Sequence, residues 1–187
     1  KRRYPDKVLA GLGLHPAWVT RTERAEVEAG LSWLEANLAE ADVLGEVGLD
    51  YKWAATDAQQ IQQQEILTRQ FDLAERFGKS VNLHSRRAQR QTMERAIEFH
   101  RRTGLNAQFH WFTHSKKLVR ICNEEGLYVS VGPTAISDPQ SQAVALEIKR
   151  ELLLLETDAP VPIGGVPGHP ARVGEVAAKL AELMGAT

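Results

Sequence analysis

Cysteine is nearly absent from this sequence, which contains a single example, Cys122. A disulfide requires two cysteines and a thiolate zinc site requires more than one, so the chain can build neither within itself. The shortage of cysteine is typical of proteins from a reducing compartment. We therefore expect a cytoplasmic protein, whose metal sites, if it has any, use nitrogen and oxygen ligands.

A surplus of charge of one sign is also missing, because 23 lysines and arginines are balanced by 24 aspartates and glutamates. Without such a surplus, no global electrostatic field draws the protein to nucleic acid. Any DNA binding would have to be local, through a few basic side chains and bound metal ions.

Long apolar runs are missing as well, since no segment approaches the ~20 residues that a membrane-spanning helix requires. The basic start at residues 1–3 is not followed by the apolar segment of a signal peptide. The first residue of the chain is Lys and not Met. We therefore expect no membrane partner. What remains is a chain of 187 residues, 43% of them hydrophobic, which is enough for one compact domain over residues 1–187.

Short apolar runs alternate with amphipathic stretches along the chain. The apolar runs predict six strands, at residues 8–14, 43–47, 80–83, 106–109, 127–131 and 152–155. The amphipathic stretches predict helices at residues 27–38, 58–77, 86–102, 118–125, 144–150 and 172–183, the second of which should stop at Gly78. Strict alternation favours parallel strands, because each helix returns the chain to the same end of the sheet. The pattern predicts an α/β fold.

Six strand–helix units fit either an open doubly wound sheet or part of an eight-stranded barrel, and the polar residues separate the two. Five apolar runs end in, or are closely followed by, one ionisable residue: His15, Glu46, His84, His110 and Asp158. This repeated placement directs five side chains to one face, which in a barrel is the catalytic face. We therefore favour a TIM (β/α)8-type barrel, incomplete here.

Imidazoles and carboxylates without a thiolate suit a mixed nitrogen–oxygen site for Mg²⁺, Mn²⁺ or Zn²⁺. Such ions lower the pKa of a bound water to about 7 and polarise a phosphoryl oxygen. Taken singly, each residue has a structural alternative. A histidine can be a satisfied core residue, Glu46 can cap the next helix, and Asp158 can form an Asx turn. The metal interpretation depends on their joint placement.

Five segments resemble signature motifs of the TatD family of metal-dependent deoxyribonucleases. They are Gly-Leu-His-Pro at 13–16, Gly-Glu-Val-Gly-Leu-Asp-Tyr at 45–51, the run from Gln64 to His84-Ser85-Arg86, His110-Trp111-Phe112, and Leu-Glu-Thr-Asp-Ala-Pro at 155–160. The motifs occur in family order and cover almost the whole chain. The second and the last are specific signals, whereas His-Pro and His-Ser-Arg are weak by themselves.

The resemblance implies a TIM barrel that hydrolyses DNA phosphodiesters through a metal-activated water. By matching position, it implies four metal ligands: Glu46, His84, His110 and Asp158. It also implies that Glu46 can bridge two ions and that Asp158 both binds metal and orients or deprotonates the attacking water. One or two divalent ions are expected, Mg²⁺ first, with Mn²⁺ or Zn²⁺ as alternatives, and single-stranded DNA is the expected substrate.

Several further residues are candidates for contact with the substrate. Arg86, just beyond a predicted ligand, and the neighbouring Lys116 and Lys117 are candidate phosphate contacts. His15 and His114 are further candidates, although His114 also fits a surface or supporting role and stands where the family tends to have Ser-Gly. Asp50 and Tyr51 are expected to support Glu46.

The sequence departs from the family pattern at its start. The family opens with a strand that ends in a His-x-His pair, and this chain contains no such pair. We therefore expect a barrel truncated at both ends, without the first two strands and the closing helix. Two alternatives follow: a metal-dependent amidohydrolase or esterase that acts on a small substrate, and a catalytically inactive truncated barrel.

Overall fold

The structure, a computed structural model, describes residues 1, 3–112 and 115–186. It divides into two compact units, Lys1–Gln108 and Phe109–Thr187. His114, one of the candidate substrate contacts, lies outside the described residues.

Over its described residues, the first unit contains three strands and four α-helices before the boundary. In chain order they are β1 (Gly11–Leu12), α1 (Pro16–Arg21), α2 (Arg24–Asn37), β2 (Val43–Asp50), α3 (Asp57–Phe77), β3 (Ser80–Arg86) and α4 (Gln89–Thr103). A short 3-10 helix, Leu38–Glu40, follows α2. The boundary between the units falls inside β4 (Ala107–Phe109).

The second unit continues the alternation with shorter elements. In chain order they are α5 (Lys116–Glu125), β5 (Tyr128–Val131), α6 (Pro139–Ala145), β6 (Leu153–Leu155) and α7 (Val173–Leu183). Three 3-10 helices, Pro133–Ile136, Arg150–Leu152 and Pro170–Arg172, lie between them.

The strand pairings within each unit are parallel, as the alternating pattern predicts. β1 pairs with β2, with Gly11 opposite Val43, and β2 pairs with β3 from Val43 opposite Ser80 to Asp50 opposite Arg86. In the second unit β5 pairs with β6, with Val129 opposite Leu153. In the described part of the chain, six strands alternate with helices in an α/β fold of the TIM-barrel type, which confirms the predicted fold class.

Helix α3 illustrates how the local sequence fixes an element. Thr56 and Gln59 form a capping box at its start, where the Thr56 hydroxyl accepts from the Gln59 backbone and the Gln59 side chain accepts from the Thr56 backbone. Gly78 ends the helix in a left-handed conformation with φ of 63°, which confirms the predicted stop. The inward face, which includes Ile66, Leu67, Phe71 and Ala74, is buried.

Strands β2 and β3 run three residues beyond their predicted ends, to Asp50 and Arg86, so Glu46 and His84 lie within the strands and not at their ends. Two other predicted elements differ more. The predicted strand 8–14 is reduced to Gly11–Leu12, since Val8 and Leu9 are 41% and 77% exposed and only the later residues pair with β2. The predicted helix 144–150 is wrong: α6 starts at Pro139 because the Asp138 carboxylate caps it, accepting from the Ser141 N–H at 2.7 Å.

The structure also contains a helix that periodicity did not predict, α1, which is too short to show a repeat. Over the part of the chain that the structure describes, none of the helices combines the length and the apolarity that a membrane crossing requires.

Candidate metal centre

His15, Glu46 and His84 converge in the first unit. One possible ligand atom from each of the three lies within 4.8 Å of the others. Glu46 Oε1 is 3.5 Å from His15 Nε2 and 2.7 Å from His84 Nδ1. The two imidazole rings meet edge to face, with centroids 4.6 Å apart. Each of the three side chains is partly shielded from solvent.

His15 is positioned by the short helix that it caps and by α3. Its Nδ1 accepts the Ala17 N–H at 3.1 Å, which leaves Nε2 as the atom that faces Glu46. On either side of His15, the Leu14 N–H donates to Gln70 Oε1 at 2.7 Å, and Gln63 Nε2 donates to the Pro16 carbonyl at 3.1 Å. Two buried amides of α3 therefore hold the segment that carries the imidazole.

Glu46 stands where the pairing of β2 with β3 is irregular. The register shifts between Leu44 and Val47, and such a bulge re-aims the side chains of the bulged strand. The neighbouring strand is close: a Cβ added to Gly45 would lie 2.7 Å from the Asn82 Cβ. A Cβ added to Gly48, whose φ is 144°, would lie 2.0 Å from the His84 carbonyl oxygen. Both glycines are needed for the approach of the two strands.

His84 is held on its other side by Asp50. His84 Nε2 lies 3.0 Å from Asp50 Oδ2, and Oδ1 of the same carboxylate accepts the Lys52 N–H at 2.9 Å. Burial alone would lower the pKa of His84, but the carboxylates of Asp50 and Glu46 outweigh it and raise that pKa. Burial alone would raise the pKa of Asp50, but the hydrogen bond from His84 leads the effects that lower it. In the metal-free protein this arrangement favours the imidazolium with two carboxylates.

In the second unit, His110 is paired with a carboxylate from the end of β6. His110 Nδ1 lies 2.8 Å from Glu156 Oε2. Two residues further on, Asp158 has a left-handed backbone with φ of 51°, and its carbonyl accepts the Val161 N–H at 2.9 Å. Both His110 and Asp158 are half-buried residues that follow strands, as the sequence predicts.

The structure thus places the predicted site residues in two groups. Glu46 and His84, predicted as ligands, meet in the first unit together with His15, which was predicted as a substrate contact. His110 and Asp158 are in the second unit. Of the predicted phosphate contacts, Arg86 is exposed at the end of β3, Lys116 opens α5 with its Nζ 3.1 Å from Glu147 Oε1, and Lys117 is exposed.

Sequence reasoning missed three contributors to these groups. Gln63 and Gln70 are spaced by seven residues and lie on the buried face of α3, where polar side chains are rare unless they bind a defined partner. Glu156 was noted only as part of a motif. The spacing of the two glutamines was the available signal for the first two. For Glu156 the available signal was its place in the specific motif at residues 155–160, two residues before Asp158.

The donor set fits a divalent cation. Two imidazole nitrogens and a carboxylate oxygen suit Mn²⁺ or Zn²⁺, and water would complete the shell for Mg²⁺. Asn82, two residues before His84 on β3, has a buried side-chain oxygen without a hydrogen-bond partner among the described residues, as expected beside a site that holds water or an ion. Cys122 does not compete as a ligand, because burial raises the pKa of its thiol to about 12.

Comparison with known proteins gives a consistent answer. The family model described as TatD related DNase matches residues 1–187. The human deoxyribonuclease TATDN3 is 29% identical over 193 residues, which cover 98% of this chain and 69% of that protein. YjjV of Escherichia coli K12, named as an uncharacterized metal-dependent hydrolase, is 33% identical over 179 residues, which cover 93% of this chain and 67% of YjjV.

The crystal structure of YjjV superposes on this chain with a TM-score of 0.78 and 28% sequence identity, covering 97% of this chain and 72% of that one. A mouse TATDN3 relative is 30% identical over 167 residues, 84% of this chain, and the matched part spans 55% of that relative's length. The chain therefore spans between 55% and 72% of the length of these relatives.

Proposed function

The chain belongs to the TatD-related DNase family, and from that premise we propose that it hydrolyses the phosphodiester bonds of single-stranded DNA with bound divalent metal. The cluster of His15, Glu46 and His84 is the observation that carries the proposal. Three potential ligands converge from three separate segments, His15 shortly after β1 and Glu46 and His84 within the parallel strands β2 and β3. Barrel enzymes perform their chemistry on the side of the carboxyl ends of such strands.

The residues have distinct proposed roles. Glu46 and His84 hold a cation, and His15, which faces the same carboxylate, is added to this set. His15 binds a cation through Nε2 only when Nδ1 gives up the Ala17 N–H and takes the ring hydrogen. His110 and Asp158 contribute the ligands of the second unit. When bound, a divalent ion supplies a Lewis acid that polarises a phosphoryl oxygen and lowers the pKa of water. Mg²⁺ is the proposed ion, and Mn²⁺ and Zn²⁺ also suit two imidazoles.

Asp158 is proposed to orient the attacking water and to accept its proton, because a carboxylate held on a fixed turn can act as a general base. Arg86 and Lys116 are proposed phosphate contacts. Both are exposed, and Lys116 already pairs with Glu147, a contact that phosphate would have to replace. The near-zero net charge restricts DNA affinity to such local contacts.

The test is cleavage of an end-labelled single-stranded oligonucleotide by the 187-residue chain with Mg²⁺, Mn²⁺ or Zn²⁺. We expect cleavage that a chelator abolishes and that falls by about two orders of magnitude or more in Glu46→Gln, because the carboxylate charge at the cluster is lost. Glu94→Gln is the matched control, since Glu94 is an exposed residue of α4 that pairs with Arg90.

A chromogenic phosphodiester and a chromogenic carboxylic ester complete the assay. Chelator-sensitive hydrolysis of the ester alone would overturn the DNA assignment in favour of a small-substrate hydrolase. Equal DNA cleavage by Glu46→Gln and the parent chain would show that the cluster takes no part in the reaction.

A further inference from the structure

The carboxylate of Glu156 accepts hydrogen bonds from three donor groups. Its Oε2 lies 2.8 Å from His110 Nδ1. Its Oε1 accepts the Ser130 hydroxyl at 2.7 Å and also the backbone N–H of Trp111. The side chain is 17% exposed and lies within the second unit, as do all three donors. A carboxylate with this many charge-assisted hydrogen bonds is fixed in one orientation.

The backbone around Glu156 is fixed as well. The Glu156 N–H donates to the Val131 carbonyl of β5 at 3.1 Å, directly after Ser130 on the same strand. Trp111 has a left-handed backbone with φ of 41°, which is uncommon for a large side chain, and Glu156 accepts its N–H. The Trp111 indole N–H donates to Thr134 Oγ1 at 3.2 Å. The carboxylate therefore has a defined position relative to the His110 ring.

This contact selects one form of the imidazole. A carboxylate oxygen accepts hydrogen bonds, so the ring nitrogen that faces it carries the hydrogen. In neutral His110 that nitrogen is Nδ1, and the lone pair available to a cation is then on Nε2. Histidines that bind metal commonly donate their other N–H to a carboxylate, which fixes the ring and raises its basicity.

We infer that Glu156 is a positioning residue, which acts through His110 by holding the hydrogen on Nδ1 and presenting Nε2 to a divalent cation. The inference rests on the proposed function, in which His110 is a ligand. It gives Glu156 a role distinct from that of Asp158, two residues later: Glu156 binds His110, whereas Asp158 is the proposed ligand and base. Both oxygens of Glu156 already accept hydrogen bonds, which suits an orienting group more than a ligand.

The first measurement is a two-bond ¹H–¹⁵N correlation spectrum of metal-free protein labelled with ¹⁵N-histidine, at a pH where His110 is neutral. His110→Asn identifies the resonance. We expect the hydrogen on Nδ1 in the parent chain, and a shift of the tautomer population toward Nε2–H in Glu156→Gln. A parent chain with the hydrogen on Nε2 overturns the inference, whatever the variant does.

The second measurement is Mn²⁺ affinity by titration calorimetry. Glu156→Gln should weaken Mn²⁺ binding by about 10- to 100-fold, the usual effect of losing an orienting partner of a metal-binding histidine. Ser130→Ala removes one donor to Oε1 but keeps the charge next to His110, so it should retain the Nδ1–H tautomer and most of the affinity. Glu182→Gln, an exposed glutamate of α7 paired with Lys179, is the matched control.

The outcomes separate this inference from the proposed function. If Glu156→Gln lowers thermal stability but keeps both the tautomer and the Mn²⁺ affinity of the parent, Glu156 is purely structural and the inference is wrong. If the tautomer and the affinity change as expected but no variant or parent cleaves DNA, the positioning role stands and the DNA substrate is wrong. If Glu156→Gln does not fold, the tautomer in the parent chain and in Ser130→Ala decides.

Discussion

Asp158 combines a predicted catalytic role with a left-handed backbone conformation, at φ of 51°. Glycine, asparagine and aspartate adopt that conformation most readily, because glycine has no Cβ and the short polar side chains of the other two can hydrogen-bond to the nearby backbone. The carbonyl of Asp158 also accepts the Val161 N–H, which closes the turn that follows. At the scale of the residue, the proposed chemistry and the backbone geometry therefore both restrict which residue types can stand at position 158.

Asp158→Asn separates the two restrictions. Asparagine keeps the left-handed turn, so the free energy of unfolding should change by less than ~1 kcal/mol, while the loss of the carboxylate should lower metal-dependent DNA cleavage by about 10²- to 10⁴-fold. Urea denaturation and cleavage of the labelled oligonucleotide measure the two effects. Unchanged cleavage in Asp158→Asn would show that this carboxylate has no part in the reaction.

At the scale of the element, the centre in the first unit depends on the contact between β2 and β3. The register shift next to Glu46 and the close approach of Gly48 to the His84 backbone bring the carboxylate and the imidazole together. Helix α3 reinforces the same region, because Gln63 Oε1 accepts the Asp50 N–H at 2.8 Å. The strands and this helix together define the position of each ligand.

Gly48→Ala should disturb this contact strongly, because the new Cβ would lie 2.0 Å from the His84 carbonyl oxygen. We expect a loss of several kcal/mol, roughly 3 or more, in the free energy of unfolding and a loss of Mn²⁺ binding in whatever protein still folds.

Gly78→Ala is the matched control for Gly48→Ala. Gly78 also has a positive φ, but a Cβ there would meet nothing within 4 Å. The free energy of unfolding of Gly78→Ala should fall by only ~1 kcal/mol, and the variant should still bind Mn²⁺. Urea denaturation and calorimetry compare the two variants, and equal destabilisation would mean that the space beside His84 is not the limiting factor.

At the scale of the whole molecule, metal binding and protonation are linked. The pKa of His84 is raised above its ordinary value, so in the metal-free protein the imidazolium persists to higher pH than in the unfolded chain. A cation requires the neutral imidazole and therefore competes with this proton. The hydrogen bonds from His84 to Asp50 and Glu46 stabilise the metal-free protein at low pH, and that contribution is lost as the pH rises through the raised pKa.

Mn²⁺ should therefore raise the melting temperature more at pH 8 than at pH 5.5. At a concentration one hundred times its dissociation constant the ion adds about 2.7 kcal/mol to the free energy of unfolding. At pH 5.5 protons on His84 weaken Mn²⁺ binding, and the increment at the same concentration should shrink. Melting curves with and without Mn²⁺ measure the effect, and His84→Gln should abolish most of the difference. A pH-independent increment would contradict the assignment of His84 as a ligand.

Much of this architecture could be predicted from the sequence because it depends on local chemistry. The alternation of apolar runs and amphipathic stretches predicted parallel α/β structure, and Gly78 predicted the end of α3. The motifs around Glu46, His84 and Asp158 indicated the TatD family. These features are encoded by residues close together in the chain, where periodicity and residue type are sufficient evidence.

The tertiary structure decided what depends on residues that are distant in sequence. It placed His15 beside Glu46 and His84, although His15 and Glu46 are 31 positions apart, and it gave Glu156 its contact with His110 across 46 positions. It also showed that Val8 and Leu9 are exposed. Hydropathy could not predict this, because an apolar run does not reveal whether another strand pairs with it. Sequence patterns report the preference of each segment, whereas ligand geometry depends on strand register and helix packing, which arise only when distant segments meet.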